Sequence, residues 1–234
     1  MKITYLHDNG FVVDLDKCIL VFDDITHIPP HLLSRGKKIY YFAASAAPDH
    51  FSQLIFGCGA VCNEYNTWFV LSSDIPKKGQ SNISYMKPYQ TLTLEEGVTV
   101  KTFSATGGGV AYLVKAEGKT FFHAGSLNWW DWADDDKERG KINTAFEETS
   151  FKEEVAKIKA EGPIDFAFYP IAECLGNAAY RGALWFMDEV KPTYLAPMAF
   201  LDSYDGAETL ATKAFGKATK VLPITKRNET IFKA

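Results

Sequence analysis

At 234 residues, with 47% hydrophobic and 14% aromatic content, the chain can bury a substantial core, as one large domain or two small ones. A net charge of -4 and a pI near 5.8 leave no basic footprint, which argues against a nucleic-acid partner. No apolar stretch approaches a membrane span, and Met1-Lys2-Ile3-Thr4-Tyr5 lacks a signal peptide's apolar region, so a soluble, cytoplasmic protein is expected.

The first half reads as short strands separated by turns: residues 2 to 6, 10 to 14, 18 to 23, 39 to 44, 68 to 71, 91 to 95, 98 to 104, 110 to 115 and 119 to 124. Turn signals such as Asp8-Asn9-Gly10, Glu95-Glu96-Gly97 and Glu117-Gly118-Lys119 punctuate them. The stretch 72 to 90, rich in Ser, Lys, Gly and Pro, is the one loop long enough to act as a lid. After Trp132 comes a charged loop, Asp134 to Arg139, then a helix near 145 to 161 with Phe151, Val155 and Ile158 on one face, stopped by Gly162-Pro163. A buried strand at Phe166-Ala167-Phe168-Tyr169 follows, then a helix at 177 to 190, a strand at 193 to 196, a helix at 203 to 215 and two short closing strands. Periodicity leaves open whether this is a generic α+β domain or a sandwich with helices on the outer faces of two sheets. No composition break divides the chain, and a single domain over 1–234 is expected.

Cys18, Cys58, Cys62 and Cys174 are too few and too scattered for a disulfide framework. Cys58-Gly59-Ala60-Val61-Cys62 does not have the usual metal-clip spacing, and buried free thiols are expected instead.

Five separated blocks stand out: Ile3-Thr4-Tyr5-Leu6-His7 with Asn9-Gly10-Phe11-Val12-Val13, Leu20-Val21-Phe22-Asp23, residues 103 to 110, residues 122 to 130, and residues 196 to 200. Together they resemble the metallo-β-lactamase superfamily, and within it a bacterial branch of metal-dependent hydrolases related to ascorbate-6-phosphate lactonase. The first is similar to the family's first hairpin, and the second to its next strand. Phe103-Ser104-Ala105-Thr106-Gly107-Gly108-Gly109-Val110 resembles the segment Phe-Gly-Ser-Thr-Asp-Glu-Gly-Val. Phe122-His123-Ala124-Gly125-Ser126-Leu127-Asn128-Trp129-Trp130 resembles His-Ala-Gly-Asp-Leu-Asn-Trp-Trp, and Ala196-Pro197-Met198-Ala199-Phe200 resembles Pro-Met-His-Phe. The resemblance implies an αββα four-layer sandwich, in the α+β class, and a zinc hydrolase site.

That site is mostly missing. Where the family carries Ser-His-x-His-x-Asp-His, residues 44 to 50 read Ala-Ser-Ala-Ala-Pro-Asp-His. On this alignment the first histidines fall on Ser45 and Ala47, the metal-binding aspartate on Ser126 and the late histidine on Ala199, while Asp49 and His50 survive. Gly107, Asp131 and Ala172 also replace polar residues of the family. A hydrolytic zinc site needs at least three protein ligands and a water position, so zinc is not expected and no cofactor is assigned.

The survivors His7, Asp23, Asp24, Asp49, His50 and His123 could still converge on one edge of such a fold as a weak metal site. Each also has a plain structural reading. Asp49 after Pro48 would cap a predicted helix with His50 in its first turn, His123 would be a hydrogen-bonded core histidine, and Asp23 and Asp24 would end a strand. A metal-free nucleophile is a further alternative, with Ser45 or Ser126 near His50 and Asp49 orienting it. Against it, adjacent Asp49 and His50 project differently along a helix, and no Gly-x-Ser-x-Gly elbow occurs. Gly107-Gly108-Gly109 reads as a turn, not a phosphate loop.

Thr106, Asn128 and the Trp129-Trp130-Asp131-Trp132 cluster are expected beside the cleft, where the tryptophans form either a binding wall or a cover over the core. The leading expectation is therefore a non-catalytic small-molecule-binding or scaffold protein, with the small molecule unknown and a homo-oligomer compatible. The alternative is a hydrolase of an ester, lactone or phosphoester using a rearranged weak metal site.

Overall fold

The computed structural model describes residues 1–26, 28–33, 36–57, 66–132 and 139–234. Cys58, Cys62 and the charged run 134–138 lie outside them. The first sheet contains β1 (Lys2–Tyr5), β2 (Phe11–Asp14), β3 (Cys18–Phe22), β4 (Lys38–Ala43), β5 (Thr67–Ser72) and β6 (Ile83–Met86). The second contains β7 (Thr91–Thr93), β8 (Thr99–Ser104), β9 (Val110–Ala116), β10 (Lys119–His123), β11 (Phe166–Pro170), β12 (Tyr194–Met198) and β13 (Lys220–Val221), and β14 (Glu229–Lys233) returns to the first. Each sheet has seven strands, ordered β14-β1-β2-β3-β4-β5-β6 and β13-β12-β11-β10-β9-β8-β7.

Both sheets change from antiparallel to parallel pairing part-way across. β1, β2 and β3 alternate in direction, then β3, β4, β5 and β6 run parallel. Likewise β8, β9 and β10 alternate, and β10, β11, β12 and β13 run parallel. It follows that β1, β3 and β4 end on one edge of the first sheet, and β8, β10, β11 and β12 end on one edge of the second. Such carboxyl edges are where mixed and parallel sheets place their ligand sites.

The apolar runs of β3 and β4 are explained by burial on both faces. Leu20, Phe22, Tyr40 and Phe42 face the core between the sheets, whereas Ile19, Val21, Ile39 and Tyr41 face the opposite way, packing with Ile28, Leu32, Leu33 and Ile55. The second sheet's outer face is covered by α1 (Arg139–Lys159), α2 (Arg181–Glu189) and α3 (Asp205–Lys213). Phe151, Val155 and Ile158 of α1 lie in the main core, on the predicted face. The result is the α+β sandwich, with short 3-10 turns at Pro30–Leu32 and Gln53–Gly57 lying outside the first sheet.

Several expectations are corrected. The 72–90 loop contains β6, whose Ile-Ser-Tyr-Met extends the first sheet, so part of the supposed lid is anchored. The helix expected at Asp49 is a single turn, in which His50 and Phe51 N–H both donate to the Ala47 carbonyl at 2.9 Å. Ser52 Oγ then accepts from Leu54 N–H at 3.2 Å and starts the separate 3-10 turn. Cys18 is buried as expected, but Cys174 is exposed. No described helix is long and apolar enough to cross a membrane.

Candidate functional site

The strand directions bring to one edge the segments that follow β1 (His7 to Asn9), β3 (Asp23), β4 (Ser45 to His50), β8 (Thr106 to Gly109), β10 (Ser126 to Trp130), β11 (Ala172) and β12 (Ala199). Hydrogen bonds between the sheets close this edge. Tyr112 Oη donates to the Ala43 and Val70 carbonyls, and Val110 N–H donates to the Ala44 carbonyl.

At the end of β3 the chain turns through Asp23, whose φ of 42° is in the left-handed region. The turn buries its carboxylate completely. Oδ1 accepts from Ala44 N–H at 2.8 Å, and Oδ2 lies 2.5 Å from His50 Nδ1. An ionised carboxylate can only accept, so the shared hydrogen is on Nδ1 and a neutral His50 presents an Nε2 lone pair. Ser126 Oγ is 2.9 Å from that Nε2, and Asp49 Oδ2 is 3.4 Å away. Burial disfavours the imidazolium of His50. Asp23, through its charge and hydrogen bond, together with Asp49 and Asp8, outweighs burial and holds the pKa above the ordinary histidine value.

Ser126 is itself pinned. Its carbonyl accepts from Gly107 N–H at 3.0 Å and from Trp130 Nε1 at 3.1 Å. Two glycines serve this close approach: a Cβ on Gly107 would stand 2.7 Å from Ser126 Cβ, and one on Gly109 would collide with the Ala44 carbonyl and Ser45. Ser45 turns its Oγ to accept from Ala47 N–H at 3.2 Å.

His123 is fully buried, and both ring nitrogens are engaged in its neutral form: Nε2 donates to the Asn9 carbonyl at 2.9 Å, and Nδ1 accepts from Gly125 N–H at 3.2 Å. Burial pulls its pKa below the ordinary value, outweighing the opposing pull of Asp23, 3.8 Å from Nδ1. Asp24 caps the next turn by accepting from the N–H groups of Thr26 and Ile28. His7 stands apart, 3.9 Å from Asp202. Asp8 accepts from Leu201 N–H at 3.3 Å through its carboxylate and from Ala199 N–H at 3.2 Å through its carbonyl, which ties the Ala199 loop to the cleft.

Thr106 Oγ1 donates to the Asn128 carbonyl and accepts from Asn128 N–H. The tryptophans occupy two different environments. Trp129 is in the core beside Phe151 and Trp185, whereas half-buried Trp130 and Trp132 stack at 6.1 Å and pack on Ala172, Leu175 and Ala178. Asp131 is buried and pairs with Arg181.

Asp23, expected either to end a strand or to join a weak metal site, directly follows the last residue of β3, and it is Asp23, where the sequence suggests Asp49, that contacts His50 Nδ1. Its signal was present, since an aspartate closing an apolar strand in Leu-Val-Phe-Asp must either reach solvent or find a buried partner.

The donors present do not fit a hydrolytic zinc centre. His50 Nδ1 is committed to Asp23 and its Nε2 to Ser126, Ser45 Oγ is engaged with backbone, and Ala47 and Ala199 offer no lone pair. Among the described residues, no group of three or more His, Cys, Asp and Glu side chains could hold a metal ion.

No family profile and no curated protein matches the sequence. Solved structures do match in fold. Igni18, a metallo hydrolase from the archaeon Ignicoccus hospitalis, is 16% identical with a TM-score of 0.68, covering 100% of this chain and 98% of that one. A protein from Parabacteroides distasonis, named as a metal-dependent hydrolase by inference, is 15% identical with a TM-score of 0.64, covering 97% and 93%. The metallo-β-lactamase fold protein YhfI from Bacillus subtilis is 10% identical with a TM-score of 0.60, covering 98% of each chain. The chain has the metallo-β-lactamase fold.

Proposed function

We propose that this metallo-β-lactamase-fold chain binds a small organic molecule at the carboxyl edge of its sandwich, without a zinc centre. The observation that carries this reading is the state of His50, the imidazole at the heart of the cleft. Both of its nitrogens are occupied by protein groups, and the neighbouring positions Ser45, Ala47, Ser126 and Ala199 hold hydroxyls and methyls. A divalent ion held by Asp49 and a displaced His50 would remain mostly solvated.

The half-buried Trp130 and Trp132 pair over Ala172 gives the cleft an apolar wall, while exposed Asp49 makes its mouth acidic. Apolar walls with few polar groups suit an organic ligand, and the acidic mouth favours a neutral or cationic one.

The test is elemental analysis of the purified chain after dialysis without chelator, beside thermal melts with and without EDTA. The reading expects no stoichiometric zinc, manganese or iron and an unchanged Tm, because an ion that is not bound contributes no linkage energy. One equivalent of retained metal, or a fall of several degrees with EDTA, would overturn it.

A further inference from the structure

The cleft holds more than an altered metal site. We propose that Ser126 is a nucleophile for metal-free hydrolysis of neutral carboxylic esters, with His50 as its general base and Asp23 as the residue that positions His50. The proposal rests on the zinc-free reading above.

The geometry is a continuous relay. Asp23 Oδ2 lies 2.5 Å from His50 Nδ1, and His50 Nε2 lies 2.9 Å from Ser126 Oγ. This is the order of contacts by which a carboxylate fixes an imidazole tautomer and the imidazole activates a hydroxyl, an arrangement recognised by geometry and not by chain order or fold. The distances fall within the hydrogen-bond reach required of a base and its nucleophile. Asp23 is held in turn by Ala44 N–H, so the relay is braced by the backbone of the opposite segment.

The surroundings fit the assignment. Asp23 and His50 are buried, whereas Ser126 is partly exposed, so the end of the relay that must meet substrate is the one that solvent reaches. The Gly107 and Trp130 donors fix the Ser126 carbonyl and with it the direction of the side chain, supplying rigidity without engaging the hydroxyl. The Ser126 backbone N–H has no protein acceptor among the described residues and is available to a developing oxyanion. Trp130, hydrogen-bonded to Ser126, offers an apolar face for an acyl group, and the exposed carboxylate of Asp49, 3.4 Å from His50 Nε2, disfavours phosphoesters and anionic acyl groups.

The reaction balances with water as the only co-reactant. Ser126 Oγ attacks the ester carbonyl as its proton passes to His50 Nε2. The acyl–Oγ bond forms, the alkoxy C–O bond breaks, and His50 returns the proton to the departing alkoxide. Water then attacks the acyl group and gives a proton to His50, and the Oγ leaves with that proton as the acid is released.

The test uses the whole chain, treated with EDTA and freed of it, with p-nitrophenyl butyrate as substrate and a fluorophosphonate as trap. The expected result is a single phosphonyl adduct on Ser126 by peptide mass spectrometry, with ester hydrolysis falling by roughly 10³-fold or more in Ser126→Ala, whose Tm checks the fold. Asp23→Asn should slow trapping, and should abolish a downfield His50 Nδ1 proton resonance that persists in Ser126→Ala. A purely structural Asp23 would leave the trapping rate of the folded variant unchanged. No adduct, or hydrolysis that persists in Ser126→Ala, would overturn the nucleophile while leaving the zinc-free cleft standing. Hydrolysis that appears only on adding zinc, with stoichiometric zinc bound, would overturn both.

Discussion

Asp23 Oδ2 and His50 Nδ1 lie 2.5 Å apart with both side chains buried, joining the end of β3 to the turn after β4. Because the Asp23 carboxylate also accepts the Ala44 N–H, it satisfies two donors in a place that water does not reach. Removing a partner from such a pair leaves buried groups without compensation, and that cost exceeds the net value of the pair itself.

Asp23→Ala is therefore expected to lower unfolding free energy by about 3–5 kcal/mol in urea melts. Asp23→Asn should cost less, since an amide oxygen can still accept from Ala44. Equal stability of parent and Asp23→Ala would show that the pair does not hold the two segments together.

The histidines of this edge should titrate on opposite sides of the ordinary value. His50 is raised, so its contribution to stability is complete below about 6.5 and is lost as pH rises through its folded pKa. His123 is lowered, so its contribution is complete above about 6.5 and is lost as pH falls through its folded pKa. Imidazole NMR titrations should give the His50 midpoint above that of His123. The reverse order would contradict the contacts assigned to both rings.

Backbone at the cleft gives a third expectation. Gly109, with φ of +71° and no room for a Cβ beside the Ala44 carbonyl, should not tolerate alanine, and Gly109→Ala is expected to cost about 3 kcal/mol or more. Ala199 has the opposite problem: its φ of +63° strains an alanine where glycine would be free. Ala199→Gly should gain about 0.5–1 kcal/mol, the relief of left-handed strain less the added chain entropy. Chemical denaturation reads both, and a stabilised Gly109→Ala would contradict the packing described for the glycine turn.

Much of this edge could be read from sequence, because strands announce themselves by composition and their pairing directions then fix where loops emerge. Ser45, Ala47, Ser126 and Ala199 are picked out only through the family that their surrounding blocks resemble, and β3 and β4 by apolar runs that two-sided burial explains. What could not be read was orientation. A turn at Ala47–His50 and a helix from Asp49 satisfy the same residues, yet only the turn leaves His50 facing Asp23. β6 is hidden because its four residues, Ile83–Met86, are too few to show a strand pattern inside a stretch rich in Ser, Lys, Gly and Pro. Cross-sheet partners such as His50 and Ser126, far apart in the chain, carry no local signal at all.

The most direct test of the central claim is a calorimetric zinc titration of the parent beside the variant Ser45→His, Ala47→His, Ser126→Asp, Ala199→His. If the fold keeps the edge and the substituted positions have removed the metal, the parent should show no tight binding. The variant should gain affinity on the order of 100-fold or more, since it restores nitrogen and oxygen ligands around Asp49 and His50. Tight one-to-one zinc binding by the parent, or a folded variant that binds no better than the parent, would contradict the account.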